Sequence, residues 1–508
     1  MEQTATQAPK QRSERLYNKD LAPESATGSW KARNLFNWWM SGWHSLGGYT
    51  MAIGLFMFGI TGWQLIFAFV IGVAVLYLVN NLTGVAGQRE KVPFPVFARG
   101  AFGVFGANIP AIIRAIVAVF WYGIQTYLAS AAIMLLLMKV VPATAPLAET
   151  SFLGLSALGW ICFVALSGLQ LLVLMMGMES VRKLSDFAGP TIWVALLALA
   201  IWMLARADWN IDLGVSLTDF TPSAGMQIYG ILASAFIVVS YFAGPSLNFS
   251  DFTRNAPSEK SVRTGNAYGL LLNASAFGIV SVVIALASVE VYGEAIHDPI
   301  ALLADIDSIT LLLVAIIAIS ISTAGVNIIC NYVAPVYDLM NVWPKLFTFR
   351  KAGALVGILS IVITPWNLFS NPVIVNQLIG SIGALIGPLF GIIVADYYLI
   401  QRRRLTTDDL FTEDPRGRYH YRKGYNPKAI WSLAITGLIT IIVSFAPVFS
   451  SLVPFTWLIG AVLGAVIYTV LSRGSIARGA TGADGEVEGE GSATTAAGAD
   501  AEEPALIG

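Results

Sequence analysis

Ser240–Arg254, SYFAGPSLNFSDFTR, begins inside an apolar run long enough to span a bilayer and then interrupts it. Gly244 and Pro245 stand where a membrane helix would be continuous. Glycine favours unusual dihedrals, and proline removes a donor and clashes with the carbonyl one turn back. Hydrocarbon cannot satisfy the backbone groups this frees, so the break is buried in protein or lines a cavity. Broken helices of this kind hold ligands and ions in some membrane proteins and serve packing alone in others.

The rest of the chain suits that reading. Of 508 residues, 56% are hydrophobic and 12% charged, and the mean hydropathy is +0.69. This is the composition of a polytopic helical membrane protein. Cys162 and Cys330 both lie in apolar runs, and His44, His297 and His420 are scattered, so neither a disulfide framework nor a metal cluster is indicated. Residues 1–34 are polar and basic with no cleavable apolar core, which leaves the first span as the insertion signal.

Apolar runs of spanning length fall near 36–60, 62–84, 108–138, 152–177, 188–206, 226–248, 264–290, 308–334, 351–370, 376–400, 428–449 and 453–472. Twelve predicted helices put both termini on one side. Of the 30 Lys and Arg, all but Lys139, Arg206 and Arg114 fall on the side of the N-terminus. The positive-inside rule makes that side cytoplasmic in a cell membrane. The opposite segments carry acids: Asp208, Asp212, Glu290, Glu294, Asp298, Asp305 and Asp307. The tail after Arg478 is small, acidic and Gly-rich, and is expected to be disordered.

The first run repeats the oddity of the sixth, with Gly42, His44, Ser45, Gly47 and Gly48 in mid-span. Paired interruptions five helices apart point to an inverted repeat with a binding site at its centre. The expected organisation is a cytoplasmic segment 1–34, repeats at 35–206 and 226–401, a loop with two extra helices at 402–472, and a tail at 473–508. The connections are too short for a soluble catalytic domain.

In the third run, Trp121 and Gln125 are four residues apart and share one helix face. An aromatic plate with an amide one turn on suits a flat heterocycle with a CO–NH edge; packing and a helix-to-helix hydrogen bond are the bland alternative. Tyr241 and Phe242 precede the sixth-run break, offering a second aromatic surface, and Asn248 follows it. The eighth run adds Ser322, Thr323, Asn327 and Asn331, of which the two hydroxyls are expected to bond back to their own helix. Arg114 is expected to snorkel to the interface. His44 reads as a proton relay or a structural imidazole, and Asp396 is expected to pair with the basic residues Arg402–Arg404.

Several stretches in order resemble the nucleobase:cation symporter-1 family: YNKDLAP (17–23), KVPFPVFARGAFG (91–103), FWYGIQTY (120–127), NFSDFTR (248–254), NIICNYVAPVYD (327–338) and GPLFGIIVADYYL (387–399). The resemblance implies an all-α, leucine-transporter-type fold of two five-helix inverted repeats plus two helices. It implies that Trp121 stacks on substrate, Gln125 binds its amide and Asn331 contacts it. The second stacking aromatic falls on Phe242 where hydantoin-type members have tryptophan, and a first-helix polar contact falls on Ser45 or His44. Sodium-coupled relatives have Ser-Thr before the first eighth-helix asparagine. Here Gly325 and Val326 stand there, leaving Ser41, His44 and Ser322 carbonyls and the Ser322 and Thr323 hydroxyls as candidate cation ligands. That departure favours proton over sodium coupling.

The function expected is secondary active import of a small planar amide heterocycle such as uracil, cytosine, allantoin or a hydantoin, coupled to H+ or Na+. The expected carrier is a monomer in the lipid bilayer that uses no cofactor and binds no nucleic acid. An amino-acid carrier of the same fold and a passive channel are the alternatives. The Trp121–Gln125 plate speaks against the first, and the lack of charge rings or a filter motif against the second.

Overall fold

The computed structural model describes residues 12–24, 28–218, 220–296, 308–369 and 372–484. His297, Asp298, Asp305, Asp307 and the tail beyond residue 484 lie outside them. Apart from isolated bridges, regular structure among the described residues is helical.

The long helices follow the predicted runs: α1 in two pieces, Ala32–Trp43 and Leu46–Gly54; α2, Gly62–Glu90; α3, Asn108–Val140; α4, Ala157–Met175; α5, Met178–Arg206; α6, Ala224–Tyr241. Then come α7, Glu259–Tyr292; α8, Ile309–Asn327, running through a π-helical stretch into Val333–Val342; α9, Phe349–Val362; α10, Pro372–Ala395; α11, Pro427–Phe445; and α12, Thr456–Asp484. Among the described residues, ten helices are long and apolar enough to cross a membrane. The exceptions among the predicted runs are the broken α1 and α9, which has 14 residues. Two boundaries differ markedly: α5 starts ten residues before its apolar run, and α12 continues twelve residues past its run at 472, to Asp484, so the first residues of the expected tail are helical rather than disordered. The first turns of α5 are polar, and Arg182 pairs there with Asp186 at 2.8 Å.

Both predicted breaks are present. The continuous part of α6 stops at Tyr241 because Pro245 has no N–H to offer the Tyr241 carbonyl. Phe242 leaves helical geometry (φ −99°, ψ 11°), and a short turn, Ala243–Leu247, follows. Two α2 side chains hold that turn. Asn80 Nδ2 donates to Ser246 Oγ at 3.1 Å, and Thr83 Oγ1 donates to the Ser246 carbonyl at 2.8 Å. In α1 the break is at His44 (φ −84°, ψ 73°), after which Ser45 caps the second piece by accepting from Gly48 N at 2.9 Å.

Packing sorts the helices into two groups. One comprises α1, α2, α6 and α7; the other comprises α3, α4, α8 and α9, with α5 packed against α1, α7 and α8. Outside both groups, α12 lies along α10, where Gly387, Gly391, Gly460 and Gly464 let backbones approach within side-chain contact. The N-terminal segment crosses one end of the molecule, called here the basic face. Ser13 N bonds Phe411 O, Asn18 Nδ2 bonds the Pro344 and Phe347 carbonyls, and Glu24 pairs with Arg254 at 3.1 Å. Arg99, fully buried, links this segment to α8 and the α10–α11 connection through Leu16 O, Asn341 Oδ1 and Leu410 O.

Asp396 is placed differently from its expectation. It accepts from Tyr468 Oη at 2.7 Å and from Gln401, because α12 covers the end of α10 and brings Tyr468 closer than the basic loop.

One polar chain ties the first group together: Trp39 Nε1 donates to Asn266 Oδ1 at 2.8 Å, and Asn266 Nδ2 donates to Asn81 Oδ1 at 3.0 Å, joining α1, α7 and α2. Asn266→Ala orphans a buried indole N–H, at a cost of about 1–3 kcal/mol. The melting temperature in detergent should drop by a few degrees, as scanning fluorimetry would read; an unchanged value would show the chain idle.

Candidate functional site

The two breaks face α3 and α8 across a small cavity of about 40 Å³. Gly42 and Ser45 of α1, Arg114, Val117, Trp121 and Gln125 of α3, the Ser240–Phe242 end of α6 with Gly244 and Pro245, and Val326, Cys330 and Asn331 of α8 line it. At 10–15 Å³ per probe sphere this holds about three waters.

The four α3 residues form one stripe because spacings of three, four and seven return to the same helix face. Trp121 lies part-buried on this wall. One turn on, Gln125 is 3% exposed and its Oε1 has no hydrogen-bond partner. A buried amide oxygen left unpaired costs free energy unless a ligand N–H completes it. A Cβ on Gly47 would lie 3.0 Å from Tyr241 Oη and 3.2 Å from Gln125 Nε2, so those two groups converge at the start of the second α1 piece. Ser45 Oγ is 3.4 Å from the same Tyr241 hydroxyl. Amide, phenol and serine thus make one polar edge beside the Trp121 ring.

The aromatic opposite Trp121 differs from the expected one. Phe242 touches the cavity, but its ring lies against Trp43, 4.0 Å between centroids and 32° between planes. The ring beside Trp121 is that of Tyr241, edge-on at 5.7 Å and 69°. The unwinding at Phe242 decides which of the two neighbours turns inward.

The eighth-helix asparagines divide. Asn331 lines the cavity and donates to Asn327 Oδ1 at 3.2 Å. Asn327 itself lies outside, donating to Tyr122 O, Thr126 Oγ1 and Gln170 Oε1, so it clamps α8 to α3 and α4. His44 also turns away from the cavity. Its Nδ1 contacts Met40 O, its ring packs edgewise on Trp193 and Phe277, and its buried Nε2 has no partner.

Of the candidate cation ligands, Ser322 and the His44 carbonyl engage each other. Ser322 Oγ donates to the His44 carbonyl at 2.9 Å rather than back to its own helix, because the α1 break presents that carbonyl with no donor of its own. Ser41 Oγ donates to Ser185 O at 3.0 Å, and Thr323 is buried. A side chain at position 325 would put its Cβ 2.8 Å from the Ala188 methyl, so glycine there follows from Ala188.

Sequence reasoning missed Arg114. It is 1% exposed and does not snorkel; Nε donates to Asn248 Oδ1 and Nη2 to Cys330 O, both at 2.9 Å. The signal was its place seven residues before Trp121, two turns back on the same face.

The family model described as permease for cytosine/purines, uracil, thiamine and allantoin matches residues 23–460. An allantoin permease of Bacillus subtilis is 33% identical over 471 residues, 91% of this chain and 94% of that protein. A purine-uracil permease of Arabidopsis thaliana is 33% identical over 443 residues, 86% of this chain and 73% of that protein. Among solved structures, Mhp1, a nucleobase-cation-symport-1 family transporter, in a closed conformation with bromovinylhydantoin bound, has a TM-score of 0.74, 21% identity, and coverage of 91% of this chain and 96% of that one. That likeness establishes the leucine-transporter-type fold. Together with the family match and the two permeases, it means that the chain belongs to the nucleobase:cation symporter-1 family of permeases.

Proposed function

We propose that the protein imports a compact planar amide heterocycle, of the uracil, cytosine, allantoin or hydantoin class, by alternating access. The ring stacks on Trp121, its N–H donates to Gln125 Oε1, and Asn331, Ser45 and Tyr241 border its remaining edge. The observation that carries this is the unpartnered, buried Gln125 oxygen one turn from an aromatic plate, between two helix breaks. A cavity this small supports a single ring without bulky substituents. Allantoin and uracil, in the names of the two permeases, are single rings of this class.

The coupling ion in this reading is a proton. Sodium wants a full set of oxygen ligands, and here the His44 carbonyl is taken by Ser322 while Gly325 and Val326 supply no hydroxyl. The two repeats are 35–206 and 226–401. The basic face is cytoplasmic in a cell membrane, and the carrier works as a monomer.

Stacking on an aromatic side chain is worth about 1–3 kcal/mol. Trp121→Ala should therefore lower uptake of radiolabelled substrate by about 5- to 150-fold with membrane abundance unchanged, and Gln125→Ala should do likewise. Normal uptake in both variants would remove the site. A thermal-shift panel of uracil, cytosine, allantoin, hydantoin and purines, run in sodium and in choline salts, identifies the ligand. A bound ligand raises the melting temperature by mass action. The shift should be the same in the two salts, and one that needs sodium would overturn the proton reading.

A further inference from the structure

At the floor of the cavity and beneath it, towards the basic face, two buried ionisable side chains stand at matching levels. Arg114 is seven residues before Trp121 on α3, and Asp338 is seven after Asn331 on α8. Since α3 leaves the basic face and α8 returns to it, both fall two turns, about 10 Å, beneath the substrate level.

Arg114 bridges the two helix groups. Its own helix and Cys330 belong to the α3, α4, α8, α9 group, whereas Asn248 follows the α6 break in the other. Gly244 makes room for it: a Cβ there would lie 3.3 Å from the guanidinium carbon. The π-helical stretch Ile328–Tyr332, and Pro335 with no N–H, leave this turn of α8 short of backbone donors, and Arg114 supplies one to Cys330. Asn248 Nδ2 in turn donates to Asp251 Oδ2 at 2.8 Å, and Asp251 Oδ1 accepts from Phe94 N at 2.7 Å. Asp251 is thereby satisfied on both oxygens.

Asp338 is not. It is 1% exposed and neither carboxylate oxygen has a hydrogen-bond partner. Asp251 and, less strongly, Arg114 act on it electrostatically, and Arg114 lies beyond ion-pair distance. A buried carboxylate held short of the nearest guanidinium is costly, and the arrangement makes sense if the pair closes in another conformation.

We propose that Arg114 is a two-position latch beneath the substrate. In the position seen, it ties α6 to α3 through Asn248 and closes the cavity towards the basic face. In the other, it leaves Asn248 and pairs with Asp338 inside its own helix group, freeing α6 to swing and opening the floor. Each position leaves one polar group short of a partner, so the two are close in free energy and a small ligand can tip the balance. This rests on the alternating-access reading above, but its test reads cavity accessibility and needs no substrate.

Cys330 lines the cavity above the latch and, with Cys162 changed to serine, is the chain's one thiol. In everted membrane vesicles, its rate of labelling by a membrane-impermeant maleimide reports opening towards the basic face. Asn248→Ala removes the closed position's partner and should raise the rate at least fivefold. Asp338→Asn removes the open position's partner and should lower it at least fivefold. A residue that merely holds the fold together would loosen it either way and move both rates up. Opposite shifts, with both variants melting near the parent temperature, support the latch; equal-signed shifts, or no shift in either variant, overturn it.

Discussion

No water reaches the middle of a bilayer to rescue an unpaired peptide group, and the architecture around α1 and α6 answers that constraint. At the α6 break, Asn80 and Thr83 of α2 engage Ser246, while Arg114 of α3 engages Asn248 just beyond. At the α1 break, Ser322 of α8 caps the His44 carbonyl and Ser45 caps the next piece. A membrane protein can keep an interrupted helix only by surrounding it with such donors, and the surrounding is what makes a cavity. Polar side chains that repair the backbone and polar side chains that read a ligand are thus neighbours by necessity.

That proximity explains which residues could be assigned from sequence. Trp121 and Gln125 were legible because a four-residue spacing on a long helix fixes a shared face whatever the rest of the fold does. The breaks were legible because glycine and proline act locally. Arg114 sat on the same stripe, but its acceptors, Asn248 and the Cys330 carbonyl, come from helices 134 and 216 positions away in sequence. Without them an arginine near a helix start reads as snorkelling. Asn327 and Asn331 share a spacing as favourable as that of Trp121 and Gln125, yet only Asn331 reaches the cavity. Register between α8, α3 and α4 decides this, and no local pattern encodes register.

The motifs that carried the family resemblance acquire physical meaning in the same way. Within NFSDFTR, Asn248 meets Arg114, Asp251 receives the Phe94 amide, and Arg254 holds the N-terminal segment through Glu24 and the Asp20 carbonyl. Within KVPFPVFARGAFG, Phe94 completes that exchange and Arg99 gathers three separate segments. These stretches are the joints of the basic face rather than the substrate site. A match across them speaks to the mechanics a chain shares with its family.

Among the polar links between the helix groups, the pair closest to the breaks differ in chemistry. Ser322 to the His44 carbonyl is a neutral bond between a hydroxyl and a peptide group, of a kind worth about 1 kcal/mol. Arg114 to Asn248 is charge-assisted, buried, and backed by Asp251. A carrier that relied on the first link alone would separate its groups easily, and one that relied on the second alone would hold them too firmly to turn over. An unpartnered Asp338 beside the stronger link lowers the net cost of breaking it, so the orphaned carboxylate is what keeps a charged lock compatible with movement.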